Sequence, residues 1–320
     1  MSVLLSVLIP VYNWNVSRLV LQLIEEADAF GLWEKVEVIL LDDGSPDREV
    51  AATNEEFCLK HPRLHLEYGS LGRNVGRSAI RNMLASKASG AFLLFLDCDI
   101  LPDSDRFLGS YLGYAETDDF DAVCGGVSYR TRVLYDAGYD YHAYLGNKKE
   151  VKSASKRNRE PWRHILTSNI MVRKSVFEAT TFDERFTGYG YEDIEWGIRL
   201  SQQYRILHAD NTVSHLGLAS KATVYQKMRA SVPNYLLLKE LCPKAFHASA
   251  VSRLVRLLTA APAPLLSAAD HLLKNAFSSC GSNRLSFILF QINFAVLLAA
   301  ALKAKGIEGP PRDAAAGGAS

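Results

Sequence analysis

The sequence predicts an α/β protein whose centre is a parallel sheet covered by helices on both faces. Three observations predict it: short runs that are apolar throughout, helix-period stretches between them, and polar or turn-forming residues where each run ends. Its 320 residues allow one large domain with appendages, or two domains, and can bury a substantial core.

The first run, "VLLSVLIPVY" from residue 3, is rich in β-branched residues and reads as a strand. It lacks the basic flank and small-residue cleavage site of an export signal. Helix-period "VSRLVLQLIEEADAF" follows, then the strand "VEVILL", the polar turn "DDGSPD" and a helix over 47–60. Next come "LHLEY", the helix "GRSAIRNMLASKA" and the strand "AFLLFL". Ligands of such sheets collect beyond the carboxyl ends of the strands, which places Pro10 to Asn13, Asp42 to Ser45 and Asp97 to Asp99 in one crevice. No G-x-G-x-x-G follows the first strand, which argues against a dinucleotide-binding oxidoreductase.

Residues 148–163, "KKEVKSASKRNREPWR", carry seven basic and two acidic side chains and read as a mobile loop, either solvated or folding over an anionic ligand. A second structured region runs from "ILTSNIMVRKSVF" to "NTVSHLGL", and the pattern turns helical after residue 222. Eighteen uncharged residues, 285–302, sit at the lower length limit of a membrane span. Gln291 and Asn293 near their middle favour a helix packed on the protein or lying in a bilayer surface, which leaves peripheral membrane association open. The end of the chain, residues 306–320 with "GPPRDAAAGGAS", reads as a disordered tail.

Lys and Arg number 36 against 35 Asp and Glu, so the net charge of +1 offers no global field for nucleic acid. The five cysteines form no C-x-x-C pair, which argues against a zinc ribbon and fits a reduced, cytoplasmic setting.

Asp97 and Asp99 close the run "LLFLDCDI". Two apart, they share a face of a continuing strand and at its frayed end can converge on one divalent cation; a solvated strand cap is the alternative. "DDGSPD" by itself is a turn ahead of a helix N-terminus, and Arg77 and Arg81 share a helix face as ligand contacts or surface cations. Glu192 and Asp193 suit the first turn of a helix, and Gly188 and Gly190 give the preceding "GYGY" freedom of backbone.

The ordered set "SVLIPVYN", "LLDDGSPD", "GRNVGRSAIRN" and "FLDCDILPD" resembles the nucleotide-sugar half of glycosyltransferase family 2, over residues 3–103. The resemblance implies the GT-A fold, with a catalytic domain over 1–222 split near 128 into donor and acceptor halves, and a helical extension over 223–305. It also implies a nucleotide-sugar donor, UDP-linked, with Mn2+ or Mg2+ held at Asp97 and Asp99. Pro10 and Asn13 then line the donor site, Tyr12 stacks on the base, and Asp43 accepts a base N–H with support from Asp42. Asn74 and Gly76 form the loop against the nucleotide, and Arg81 contacts base or phosphate.

"FDERFTGYGYEDIEWGIRL" is similar to the acceptor segment of family 2 and galactosyltransferase-type enzymes. That similarity makes Asp193 the general base of an inverting transfer and Glu192 a partner of the sugar. Tyr189, Gly190 and Tyr191 then meet a carbohydrate or lipid-linked acceptor, with Trp196 as a further platform or as core. His215 is the implied third metal ligand, with His208 as fallback. The rivals are a sugar-phosphate nucleotidyltransferase, which would carry a Gly-rich loop where "PVYNWN" stands, and a non-catalytic sugar-nucleotide binder.

Overall fold

The computed structural model describes residues 3–61, 66–131, 137–244 and 250–306; the expected tail falls outside these apart from Gly306. Two compact units divide the chain, Met1–Leu218 and Ala219–Ser320.

Ten strands build the first unit: β1 (Leu5–Val11), β2 (Val36–Asp42), β3 (Leu66–Ser70), β4 (Phe92–Leu96), β5 (Ile100–Pro102), β6 (Ala122–Cys124), β7 (Val127–Ser128), β8 (Asn169–Arg173), β9 (Ile206–His208) and β10 (Val213–His215). Seven form one sheet in the order β3-β2-β1-β4-β8-β6-β9. β3, β2, β1 and β4 run parallel, but β8 is antiparallel to both β4 and β6, so the sheet is mixed. The register pairs Val11 with Asp42, and Leu8 with Phe95. The residues after β1, β2 and β4 therefore emerge at one edge.

Alternation along each strand sends successive side chains to opposite faces, and both are buried. Val7, Ile9, Val38, Leu40, Leu94 and Leu96 meet Leu19, Val20 and Leu23 of helix Ser17–Phe30 and Phe107 and Tyr111 of helix Phe107–Thr117. On the other face Leu8, Ile39, Leu41, Leu93 and Phe95 pack on Ile80 and Leu84 of helix Arg77–Lys87.

Asp47 caps helix Arg48–Leu59, accepting the amides of Glu49 and Val50 at 3.1 and 3.2 Å. Asp47→Ala is expected to cost about 1 kcal/mol, read as a lower denaturant midpoint.

The remaining strands form a small sheet in the order β5-β10-β7. Asp103 ties it together by accepting the hydroxyls of Ser128, Thr212 and Ser214 at 2.6, 2.6 and 2.5 Å.

The basic segment over 148–163 is not a loose loop. It holds helix Ala154–Arg157 and a 3-10 turn, Pro161–His164. Arg157 is 1% exposed and donates to the carbonyls of Cys124, Gly125 and Ala209 at 3.1, 3.2 and 2.8 Å. A planar fork with five donors can satisfy that many strand-end carbonyls, which is why a cation is stable there.

The second unit has five described helices, Lys221–Ala230, Val232–Leu241, Ala250–Leu258, Ala263–Ser279 and Asn283–Ala304. The last is long and apolar enough to cross a membrane by length and composition, yet half of its most apolar window is buried within the protein. Asn293 sits on the buried side, donating to Asp270 Oδ1 at 2.9 Å, and Arg229 reaches the same carboxylate at 2.8 Å.

Candidate active site

At the shared edge the chain leaves β1 through Tyr12, which is 48% exposed, and Asn13, which takes a left-handed turn at φ 48°. Asp42 ends β2 fully buried and accepts the Ser45 amide and hydroxyl, each at 2.7 Å. Ser45 Oγ in turn accepts the Asn13 amide at 2.8 Å, which locks the first two strand-end loops together.

Asp43 takes the amides of Val75 and Gly76 at 2.6 and 3.1 Å, holding the start of helix Arg77–Lys87 against the β2 loop. Burial, opposed by these bonds and helped by Asp42, raises its carboxyl above the usual range. Gly44 makes the close approach possible: at φ 69° a Cβ there would lie 2.5 Å from the Arg73 carbonyl carbon. Asn74 is exposed in this loop, and Pro10 is half-buried in β1.

The two aspartates of "DCD" do not share a strand face. β4 stops at Leu96 and β5 begins at Ile100 in the other sheet, so a turn carries Asp97 and Asp99 to different partners. Asp97 Oδ1 takes Arg81 Nη2 at 2.8 Å. Asp99 Oδ2 lies 3.6 Å from His215 Nε2, beside Gly217, where any Cβ would stand 2.0 Å from that oxygen. Cys98 between them is half-buried against the core.

Arg81 is not a surface cation. It is 3% exposed, and its Nη1 also reaches Glu192 Oε1 at 3.4 Å. Glu192 is itself 5% exposed and pairs with Arg81 and, at 3.9 Å, with Arg77. Burial would raise Asp97, but Arg81 and Arg77 outweigh it and hold that carboxyl below the ordinary range. One guanidinium thus joins the turn after β4 to the start of helix Glu192–Ser201.

Asp193 stands beside this bridge, half-buried, with Oδ1 accepting the Ile194 amide at 2.8 Å. Burial first, and then the Glu192 charge, push its carboxyl up to about 7. A carboxylate with that affinity for a proton is suited to take one at neutral pH. The preceding loop turns through positive φ at Gly188, Gly190 and Tyr191. The Arg77 guanidinium lies 4.4 Å over the Tyr189 ring and 3.9 Å from Glu192. Arg77, read from sequence only as a neighbour of Arg81, is therefore part of the site.

Two open alternatives are narrowed. Trp196 is fully buried, its indole N–H on the Thr180 carbonyl and its ring against Phe177 and Phe182, so it is core and offers no face to a sugar. His208 is engaged by Arg157 Nη1 at 2.9 Å and the Pro161 carbonyl at 3.0 Å, and burial lowers it to about 4; it is structural.

Asp99 and His215 suit a hard or borderline cation by donor type, a carboxylate oxygen and an imidazole nitrogen. Their 3.6 Å separation is too long for a hydrogen bond. His215 Nδ1 is buried with no hydrogen-bond partner among the described residues. No cluster of three metal-ligating side chains occurs among those residues.

The chain is 30% identical over 226 residues to a validoxylamine A glucosyltransferase of Streptomyces hygroscopicus subsp. jinggangensis, a match covering 62% of this chain and 51% of that relative. The chain thus spans about half the relative's length. Two solved structures share the fold. A Pyrobaculum calidifontis mannosyltransferase in complex with GDP-Man and Mn2+ covers 93% of this chain and 86% of its own, at 16% identity and TM-score 0.56. TarS 1-349 of S. aureus in complex with UDP covers 95% and 92%, at 17% identity and TM-score 0.52. The mixed sheet with flanking helices is thereby a GT-A type fold. With residues 6–181 matching the family model for glycosyl transferase family 2, more than half of its length, the chain belongs to that family.

Proposed function

We propose that the protein is an inverting glycosyltransferase that moves a sugar from a UDP-sugar to a hydroxyl of a carbohydrate or lipid-linked acceptor, in polysaccharide or glycolipid synthesis. The observation that carries this reading is the Arg81 bridge. It joins the "DCD" turn to the "YED" helix start, with Asp97 at 2.8 Å and Glu192 at 3.4 Å from a single guanidinium. A transfer reaction needs both within one substrate's reach.

In this reading the first unit is the catalytic domain, with residues up to about 128 on the donor side. Tyr12 stacks on the base, Asp43 and the Asn74–Gly76 loop frame the nucleotide, and the Tyr189–Tyr191 loop receives the acceptor. Asp99 and His215 would hold Mn2+ or Mg2+, with Asp97 fixed beside them by Arg81. Such an ion supplies Lewis-acid stabilisation of the departing diphosphate. Asp193 takes the acceptor proton as its oxygen attacks the anomeric carbon from the side opposite the leaving group. Support for the donor comes from the fold relatives, described in complex with UDP and with GDP-Man and Mn2+.

Titration of UDP-sugars in the presence of Mn2+, followed by acceptor turnover in the intact protein and in Asp193→Asn, tests the proposal. An enzyme loses only turnover in the variant. Donor binding with no turnover in either protein would mark a sugar-nucleotide binder, and release of pyrophosphate from a nucleoside triphosphate would mark a nucleotidyltransferase.

Gly217→Ala tests the metal corner separately. Because its Cβ would collide with Asp99, Mn2+ affinity in the presence of UDP is expected to weaken at least about tenfold by calorimetry. Unaltered Mn2+ affinity would exclude Asp99 as a ligand.

A further inference from the structure

The near-neutral total conceals two opposite halves. Residues 219–320 hold twelve Lys and Arg against four Asp and Glu, a formal +8, while residues 1–218 hold 24 against 31, a formal −7. Charge of one sign concentrated on a separate compact unit points to a partner of the other sign.

The same unit also exposes aliphatic side chains. Among the described residues it carries five of the eleven exposed large apolar side chains, on under a third of the chain: Leu257, Leu265, Leu272, Leu285 and Ile288, each between 48 and 74% exposed. Their spacing is regular. On helix Ala263–Ser279, Leu265, Ala268, Leu272 and Ala276 are all exposed and recur at the intervals of a single helix face. On helix Ala250–Leu258, Arg253, Arg256 and Leu257 are exposed, bordering buried Ser252 and Val255. Arg284 stands exposed beside Leu285 at the start of the next helix.

We propose that these faces dock the second unit on the surface of an anionic lipid bilayer, with the leucines entering the headgroup boundary and Arg253, Arg256 and Arg284 meeting lipid phosphates and carboxylates. Apolar area combined with cations is the pairing that interfacial helices use, and each cation near such a surface strengthens binding severalfold. A second copy pairing this same face with itself fits less well as the occupant, since it would bring another +8 unit against the first. Single-stranded nucleic acid would require stacking rings between the cations, and the side chains there are aliphatic. The longest apolar helix contributes only its exposed start, Arg284, Leu285 and Ile288, because half of its apolar window is already buried.

The test co-sediments the full chain with vesicles of phosphatidylcholine alone or with about 30 mol % phosphatidylserine, at low salt and near 0.5 M NaCl. The expected result is binding to the anionic vesicles only, weakened by salt. Arg253→Gln/Arg256→Gln and, separately, Leu265→Ser/Leu272→Ser are each expected to weaken it at least about tenfold. All four side chains are exposed, and retained hydrolysis of a soluble nucleotide sugar confirms a folded protein. The proposal is overturned if the intact chain stays in the supernatant with both vesicles, if either variant binds as tightly as the intact chain, or if equilibrium sedimentation shows a dimer that the leucine variant dissociates. None of these results touches the glycosyl-transfer reading, which stands or falls on donor turnover.

Discussion

Asparagine at position 193 is expected to lower kcat by about 10²- to 10⁴-fold while UDP-sugar affinity is unchanged. The amide keeps the size of the side chain and can still accept the Ile194 amide, but it cannot take a proton. The pH profile carries the same signature. With burial and Glu192 pushing the carboxyl up to about 7, the proton-accepting form is scarce at pH 6 and dominant at pH 8. kcat is thus expected to rise through neutrality and level off, and the variant's residual rate should lose that limb. A flat profile in the intact protein, or an unaltered kcat in the variant, would remove Asp193 from the chemistry.

Arg81→Met is expected to destabilise the first unit by about 3–5 kcal/mol, because it strands Asp97 and the almost fully buried Glu192 without their shared counter-charge. Asp97 should show the loss most directly. Its carboxyl is held low chiefly by Arg81 against burial, so removing the guanidinium raises it. Sign follows from linkage: a depressed carboxyl contributes stability above its unfolded pKa near 3.8 and loses it as pH falls through the lower folded value. The deficit of Arg81→Met should accordingly be largest at neutral pH and shrink in acid. Adding Glu192→Gln to Arg81→Met should recover part of it, and urea unfolding of both variants across pH measures the coupling. Strict additivity of the two substitutions would mean that the bridge carries no energy.

The strands with continuous apolar runs were legible because their pattern is local: β1, β2 and β4 stand where "VLLSVLIPV", "VEVILL" and "FLLFL" stand. The motif-bearing turns at their ends were legible for the same reason. What escaped depends on contacts between distant segments. Nothing around Asp97 reveals that β4 hands over to a second sheet three residues on, separating two carboxylates that a straight strand would have aligned. Trp196 sits amid "YEDIEWGIRL", where polar neighbours suggest a ligand face, yet Phe177 and Phe182 close over it from elsewhere in the chain. Arg77 and Arg81 have the spacing of ordinary surface cations. Only the arrival of Glu192, more than a hundred residues later, makes one of them a buried bridge and the other a lid on Tyr189.

Arg157 has a consequence for how this chain tolerates being cut. Its surroundings, seven cations in sixteen residues, look like an invitation to trypsin or to a loop graft. But that one side chain plugs three carbonyls belonging to strand ends on either side of it in sequence. A nick at the exposed lysines nearby leaves the plug seated, so the fragments stay together without a covalent link. Excising the stretch pulls the plug, and the strand-end carbonyls of Cys124, Gly125 and Ala209 lose the guanidinium that serves all three, with the Ala209 amide still donating to Cys124.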